Sequence, residues 1–281
     1  MALNLKVLGV GGGVLGFLAV AFYSLLSTPN NHLLEVAKNF REHANHHLVA
    51  LDFSIERIIA NLPKKNSEIL VYRFVGPSAT GKTCLACIFA TALFPHHGGS
   101  PEKCQESTDF LDSNPRIISR LFNKNGTNSV EAAINIFQEA DQKLQQYPDG
   151  ILIILNDYNL AGKSVWEFMS SYLKQDSLKT SVVILTDDLT PSLANEYRGK
   201  LQARVKPDMN PLVALDIYIE EVQQVFPPDY VKISENDIWI PFLPFHERAI
   251  EVLIERTCRA GDLVLKSSFP SYAGMFALPD T

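Results

Sequence analysis

Residues 76 to 83, Gly-Pro-Ser-Ala-Thr-Gly-Lys-Thr, constrain this chain more than any other stretch. Gly76, Pro77, Ser78, Ala79, Thr80, Gly81, Lys82 and Thr83 satisfy G-x-x-x-x-G-K-[ST] at every fixed position. The glycines let the main chain curl until successive N–H groups point inward as an anion cradle. A helix starting directly after the curl adds its N-terminal partial positive charge. Lys82 is long enough to reach β and γ oxygens of a nucleotide, and the Thr83 hydroxyl suits Mg2+. The flanks agree. Glu68 to Val75 (EILVYRFV) is β-rich, and Cys84 to Phe94 is an apolar run that stops at Pro95. Strand, glycine turn and buried helix in that order predict a phosphate site, with Gly76 through Cys84 as binding residues and Mg·ATP as ligand.

Apolar patterning extends the picture to an α/β fold. His32 to His46 and Leu51 to Leu62 carry helical spacing up to Pro63, and a short helix is expected around Arg116 to Phe122. Val130 to Gln146 and Val165 to Leu173 are further helices. Ile151 to Leu155 (ILIIL) and Ser181 to Leu185 (SVVIL) are unbroken apolar runs, which strands covered on both faces require. Such alternation predicts a parallel sheet flanked by helices. After about residue 190 the pattern turns helical, with proline breaks at Phe226-Pro227-Pro228 and at Pro241 to Pro244. The expected organisation is 1–27 as a membrane segment or signal, 28–66 as a helical lead-in, 67–235 as the nucleotide-binding domain and 236–281 as a short helical lid.

A hydrolase on this loop needs a carboxylate at a neighbouring strand end for the magnesium water shell, and a base for the attacking water. Asn156-Asp157 follows the ILIIL run where that pair belongs. Asn156 can hydrogen-bond a magnesium-bound water without adding charge, and Asp157 is the candidate to orient the nucleophile. The next strand ends in Thr186-Asp187-Asp188. Asp187 is the candidate sensor of the terminal phosphate, although an acid there needs a metal ion or proton to compensate its charge.

Composition narrows the partners. Lys plus Arg is 25 and Asp plus Glu is 31, a net charge of −6, so no basic stripe exists to follow a nucleic-acid backbone. Four cysteines are too few for a disulfide scaffold. Leu5 to Leu26 has Lys6 as its only charge and is long enough to span a hydrocarbon layer of ~30 Å, so it is read as a signal anchor, with a cleaved signal as the alternative. Asn125-Gly126-Thr127 is a glycosylation sequon in a polar stretch. Together they tilt the reading towards a lumenal, membrane-anchored protein.

Trp239-Ile240-Pro241-Phe242-Leu243-Pro244, followed by a helical stretch from Phe245 to Cys258, is similar to a segment of torsins. Torsins are AAA+ ATPases of the endoplasmic reticulum lumen and nuclear envelope. The resemblance covers about residues 45 to 260, with the apolar N-terminus, the phosphate loop and the sequon-bearing insertion in torsin-like order. It implies an AAA+ domain with ATP and Mg2+, a protein client, and activation by a membrane-anchored partner that supplies an arginine finger. The chain departs from torsins at Asn156-Asp157, where they carry Asp-Glu, and at Asp187, where they carry Asn. Their Gly-Cys-Lys sensor has no counterpart, since Cys258-Arg259-Ala260-Gly261 does not match it. Nucleotide binding with slow, partner-stimulated turnover is the leading expectation; a non-hydrolysing scaffold is the alternative.

Other residues are assigned the plainer roles. Cys84 and Cys87, one helical turn apart, suit core packing more than a redox pair, and Cys104 with Cys258 is a candidate disulfide. His46-His47 and His96-His97 lack the acidic neighbours of a metal site. Arg198, Lys200, Arg204 and Lys206 read as a solvated helix face, with a finger in trans as the alternative.

Overall fold

The computed structural model describes residues 30–48, 51–62, 69–95, 104, 111, 113–122, 129–174, 178, 181–206, 209, 211–226, 230 and 237–242. The apolar segment 5–26, Asn125, Cys258 and the lid residues from 243 onward lie outside them. Among the described residues no helix is long and apolar enough to cross a membrane.

Helix α1 (Asn30–His47) and helix α2 (Asp52–Asn61) precede strand β1 (Leu70–Pro77), which runs through the loop into helix α3 (Lys82–Leu93). Strand β2 (Ile117–Leu121), helix α4 (Val130–Gln146) and strand β3 (Leu152–Asn156) follow. Helix α5 (Lys163–Tyr172), strand β4 (Val182–Leu189), helices α6 (Pro191–Arg204) and α7 (Pro211–Gln224), and strand β5 (Asp237–Pro241) complete the order. Local chemistry marks several starts. Ser129 caps α4 by accepting from the Ala132 N–H at 3.1 Å. Thr190 caps α6 the same way from Leu193, with Pro191 in the first turn.

All pairings are parallel, and the strands lie in the order β2-β3-β4-β1-β5, so β1 sits inside the sheet. Side chains alternate between faces along each strand, and in β1, β3, β4 and β5 the parallel register keeps even numbers opposite even numbers, whereas β2 pairs with β3 odd to even. Even positions (Tyr72, Phe74, Ile154, Ile184, Ile240, Phe242) pack with α1, α2 and α3. Odd positions (Val71, Val75, Ile153, Leu155, Val183, Leu185, Trp239) pack with α4, α5, α6 and α7. Both faces are covered, which is why these strands read as continuous apolar runs.

Three expectations are corrected. Residues 117–121 form the edge strand β2 and not a helix: Ile117 and Ile118 insert into opposite cores, and pairing to β3 outweighs an apolar spacing that suits either structure. The segment assigned to the lid starts as the fifth strand, with Val71 to Val75 of β1 opposite Asp237 to Pro241, so a boundary at 236 cuts the sheet. Pro241 is tolerated because it ends an edge strand. Cysteine pairing also differs. Cys87 on α3 is bonded to Cys104, with Cα atoms 5.6 Å apart, leaving Cys84 as a free thiol and removing both the Cys84–Cys87 and the Cys104–Cys258 pairs.

Candidate functional site

The C-terminal ends of β1, β3, β4 and β5 converge on the loop, where ligands of open parallel sheets bind. The curl is built by left-handed backbone at Ala79 (φ 62°) and Gly81 (φ 94°). Gly76 is needed for a different reason: a Cβ there would stand 2.3 Å from the Phe242 carbonyl oxygen and 2.6 Å from the Phe242 Cβ. Phe242 is held by its N–H to the Val75 carbonyl (2.7 Å) and packs its ring on Phe74. The Pro-Phe segment therefore forms the floor of the phosphate loop. Thr80 closes the turn by donating to the Pro77 carbonyl at 2.8 Å.

Lys82 is buried, and its ammonium donates to the Gly76 carbonyl (2.9 Å), the Pro77 carbonyl (2.6 Å) and Asp188 Oδ1 (2.6 Å). Burial pulls its pKa below the ordinary lysine value, against the opposing effect of the hydrogen bond that it donates to Asp188. Ser78 donates to the second Asp188 oxygen. Thr83, at the second position of α3, donates to Asn156 Oδ1 at 3.3 Å, and Thr186 donates to the same oxygen at 3.1 Å. Thr83 Oγ1 and Asn156 Oδ1 are hard oxygen donors side by side, and they fit Mg2+ and not a soft metal. Among the described residues no three His, Cys, Asp or Glu gather round one point. Asp157 sits just past β3 with left-handed backbone (φ 55°), and its N–H donates to Thr186. Burial first, and the nearby Asp188 charge second, push its carboxyl above the usual aspartate value. Cys84 lies half-buried beside Thr83, and burial raises its thiol.

Asp187, expected at the terminal phosphate, is on an odd position and turns to the other face. It is fully buried, accepting from the Tyr230 hydroxyl and from the Asn159 N–H at 3.0 Å. The buried Arg73 guanidinium lies 4.0 Å away, between the rings of Tyr230 (4.2 Å) and Trp239 (4.3 Å), and 3.7 Å from Asp237. Burial raises the Asp187 carboxyl, with Arg73, Tyr230 and Asn159 acting the other way. The carboxylate that meets Lys82 belongs to Asp188, one residue on. Asn159, which sequence reasoning passed over, holds this strand end: its amide donates to the Asp188 carbonyl (3.1 Å) and its Oδ1 accepts from the Asp188 N–H (3.3 Å). Strand alternation was the signal that separates Asp187 from Asp188; nothing local marks Asn159.

Two members of the basic run, Lys200 and Arg204 of α6, are tied to carboxylates. Lys200 pairs with Glu196 (3.0 Å), and Arg204 bridges to Glu220 (2.9 Å) and Glu221 of α7.

No known family's sequence profile matches the chain, and no curated protein matches it. Among solved structures, Hsp104 in a closed state with ATPγS and FITC-casein aligns at a TM-score of 0.50 and 13% identity, over 83% of this chain and 39% of that one. A Walker-type ATPase of Pyrococcus abyssi aligns at 0.35 and 13% identity, over 79% of this chain and 61% of its own. A chain of the HORMA:CdnC:Trip13 complex of E. coli MS115-1 aligns at 0.35 and 15%, over 85% and 68%. This chain thus spans about two-fifths of the Hsp104 chain that it matches. What the likeness to the Hsp104 chain shows is the fold, an α/β parallel sheet flanked by helices with a phosphate-loop curl after β1.

Proposed function

We propose that this protein binds Mg·ATP in the curl from Gly76 to Thr83 and acts, as a divergent torsin-like AAA+ protein, on a protein client in the lumen of the endoplasmic reticulum or nuclear envelope. The observation that carries the nucleotide reading is the convergence of Lys82, Thr83, Asn156 and Asp157 on one rim, over a loop whose first glycine is required by contact with Phe242. Lys82 neutralises phosphate charge and Thr83 with Asn156 holds the metal side. Mg2+ held there would supply stabilisation of the charge that develops on the transferred phosphate. Asp157, its carboxyl raised by burial, is a stronger base than an exposed aspartate and positions the attacking water. Catalysis of this kind rests on positioning and charge stabilisation, and an arginine from an activating partner would complete it. The Cys87–Cys104 disulfide, the apolar N-terminus and the sequon support a lumenal setting.

The specific observation favouring a non-hydrolysing scaffold is Asn156, which brings no charge to a position where a carboxylate usually works. Calorimetry and phosphate release separate these readings. Wild type should bind Mg·ATP, and Lys82→Ala should weaken binding about a hundredfold or more, the scale of losing a phosphate's charged partner. Absence of binding at millimolar Mg·ATP overturns the nucleotide reading. Phosphate release that appears with partner and collapses in Asp157→Asn identifies an ATPase; binding without release under every partner condition identifies a scaffold. An endoglycosidase-sensitive mass that is lost in Asn125→Gln is the expected sign of a lumenal domain, and an unglycosylated wild type counts against it.

A further inference from the structure

We propose that Asp188 is a built-in stand-in for phosphate, a carboxylate latch on Lys82 that a nucleotide must displace, so that it sets the affinity of the site. This rests on the nucleotide reading above. An ammonium has three donors, and those of Lys82 are all engaged, by the carbonyls of Gly76 and Pro77 and by Asp188 Oδ1. A phosphate oxygen arriving at Lys82 must replace one of these three. The two carbonyls belong to the loop itself, whereas Asp188 reaches in from β4. Its second oxygen accepts from the Ser78 hydroxyl, so one carboxylate bridges lysine and loop as an anionic ligand would.

The latch is also aimed. Gly76 and Asp188 are register partners across β1 and β4, which puts Asp188 beside the first residue of the curl. Asn159 grips its main chain on both sides, at the N–H and at the carbonyl. The side chain is only half-buried, with 35% of its surface exposed, so it has room to leave when displaced. In the latched state Asp188 satisfies a buried cation that would otherwise lie idle between ligands. In the liganded state the same charge faces the phosphates and opposes them.

The test is the affinity of the full-length protein for Mg·ATP and Mg·ADP, measured by calorimetry for wild type, Asp188→Asn and Ser78→Ala. Asp188→Asn should tighten binding by about tenfold or more, the scale of a lost charge-assisted hydrogen bond. Ser78→Ala changes no charge and keeps the main-chain N–H groups of the cradle while removing the hydroxyl that holds Asp188, so it should tighten binding about three- to fivefold. Tightening in Asp188→Asn without any in Ser78→Ala means a general electrostatic effect and overturns the latch. Unchanged or weaker binding in both variants overturns it too, while leaving the phosphate site intact. If wild type and both variants are silent at millimolar nucleotide, the phosphate-site reading itself has failed. Should Asp188→Asn not unfold cooperatively, Ser78→Ala decides alone.

Discussion

Asp187 and Asp188 are neighbours of the same chemistry with opposite surroundings. Asp187 is sealed under Tyr230 and beside Arg73, in the layer formed by α4 to α7. Asp188 stands at the rim, half-exposed, on the ammonium of Lys82. One step along a β-strand turns a side chain to the opposite face, and that step separates a carboxyl held in the core from one that meets the ligand site. The buried cluster joins β1, β4 and β5 through Arg73, Asp187 and Asp237. The rim joins α3, β3 and β4 through Lys82, Thr83, Asn156, Thr186 and Asp188. Charge inside therefore serves to hold the strands in place, and charge outside is free to exchange partners.

The largest effect should come from emptying the buried side. Arg73→Leu leaves Asp187 and Asp237 in the core without the guanidinium, and breaking a buried pair this way costs about 3–5 kcal/mol. Urea unfolding should register that loss, with Mg·ATP affinity of the folded fraction little changed. A stability loss below about 1 kcal/mol would erase the distinction between the two regions.

Next is Gly76→Ala, which drives a methyl into the Phe242 main chain. Overpacking of this kind costs about 1–3 kcal/mol, and it should weaken nucleotide binding as well because the loop must shift. If thermal unfolding and affinity both match wild type, Phe242 is not the floor of the loop.

A smaller effect concerns pH. The Asp187 carboxyl is raised in the folded protein, so it keeps its proton at pH values where the unfolded chain has lost it. Its contribution is fully present below the ordinary aspartate value of 3.8 and declines as pH rises through the folded value. In Asp187→Asn that decline should vanish from a plot of stability against pH, whereas Asp188→Asn should keep it. The same decline in Asp187→Asn would assign it to another group.

The least change is expected at Asp157. On the ATPase reading proposed above, its raised carboxyl should place the acid limb of phosphate release above the ordinary aspartate range, with activity falling as pH drops through it. Removing the neighbouring charge in Asp188→Asn should shift that limb to lower pH. A limb that stays put would mean the two carboxylates do not sense each other.

Much of the framework was legible in the sequence because it is local. Helix α4 starts and stops where its apolar stripe does, after the Ser129 cap, and the run at 151–155 could hardly be anything but a strand covered on both faces. β2 was misjudged because five residues with apolar positions at 117, 118 and 121 satisfy helix and strand alike, and only the free edge of β3 decides. β5 was hidden behind its prolines, which a central strand would reject but an edge strand accepts. Cys87 and Cys104 were not paired because residues that distant in sequence meet only once the chain beyond α3 folds back.

Sequence alone determined the phosphate curl, since eight consecutive residues contain the glycines, the lysine and the hydroxyl that such a curl needs, and hydrophobic periodicity then determined an α/β sheet around it. Tertiary structure alone decided which aspartate faces Lys82, why Gly76 admits no side chain, and what lies beneath the loop. Those outcomes depend on the register between β1, β4 and β5, and register is settled by packing both faces of the sheet at once, which no single segment encodes.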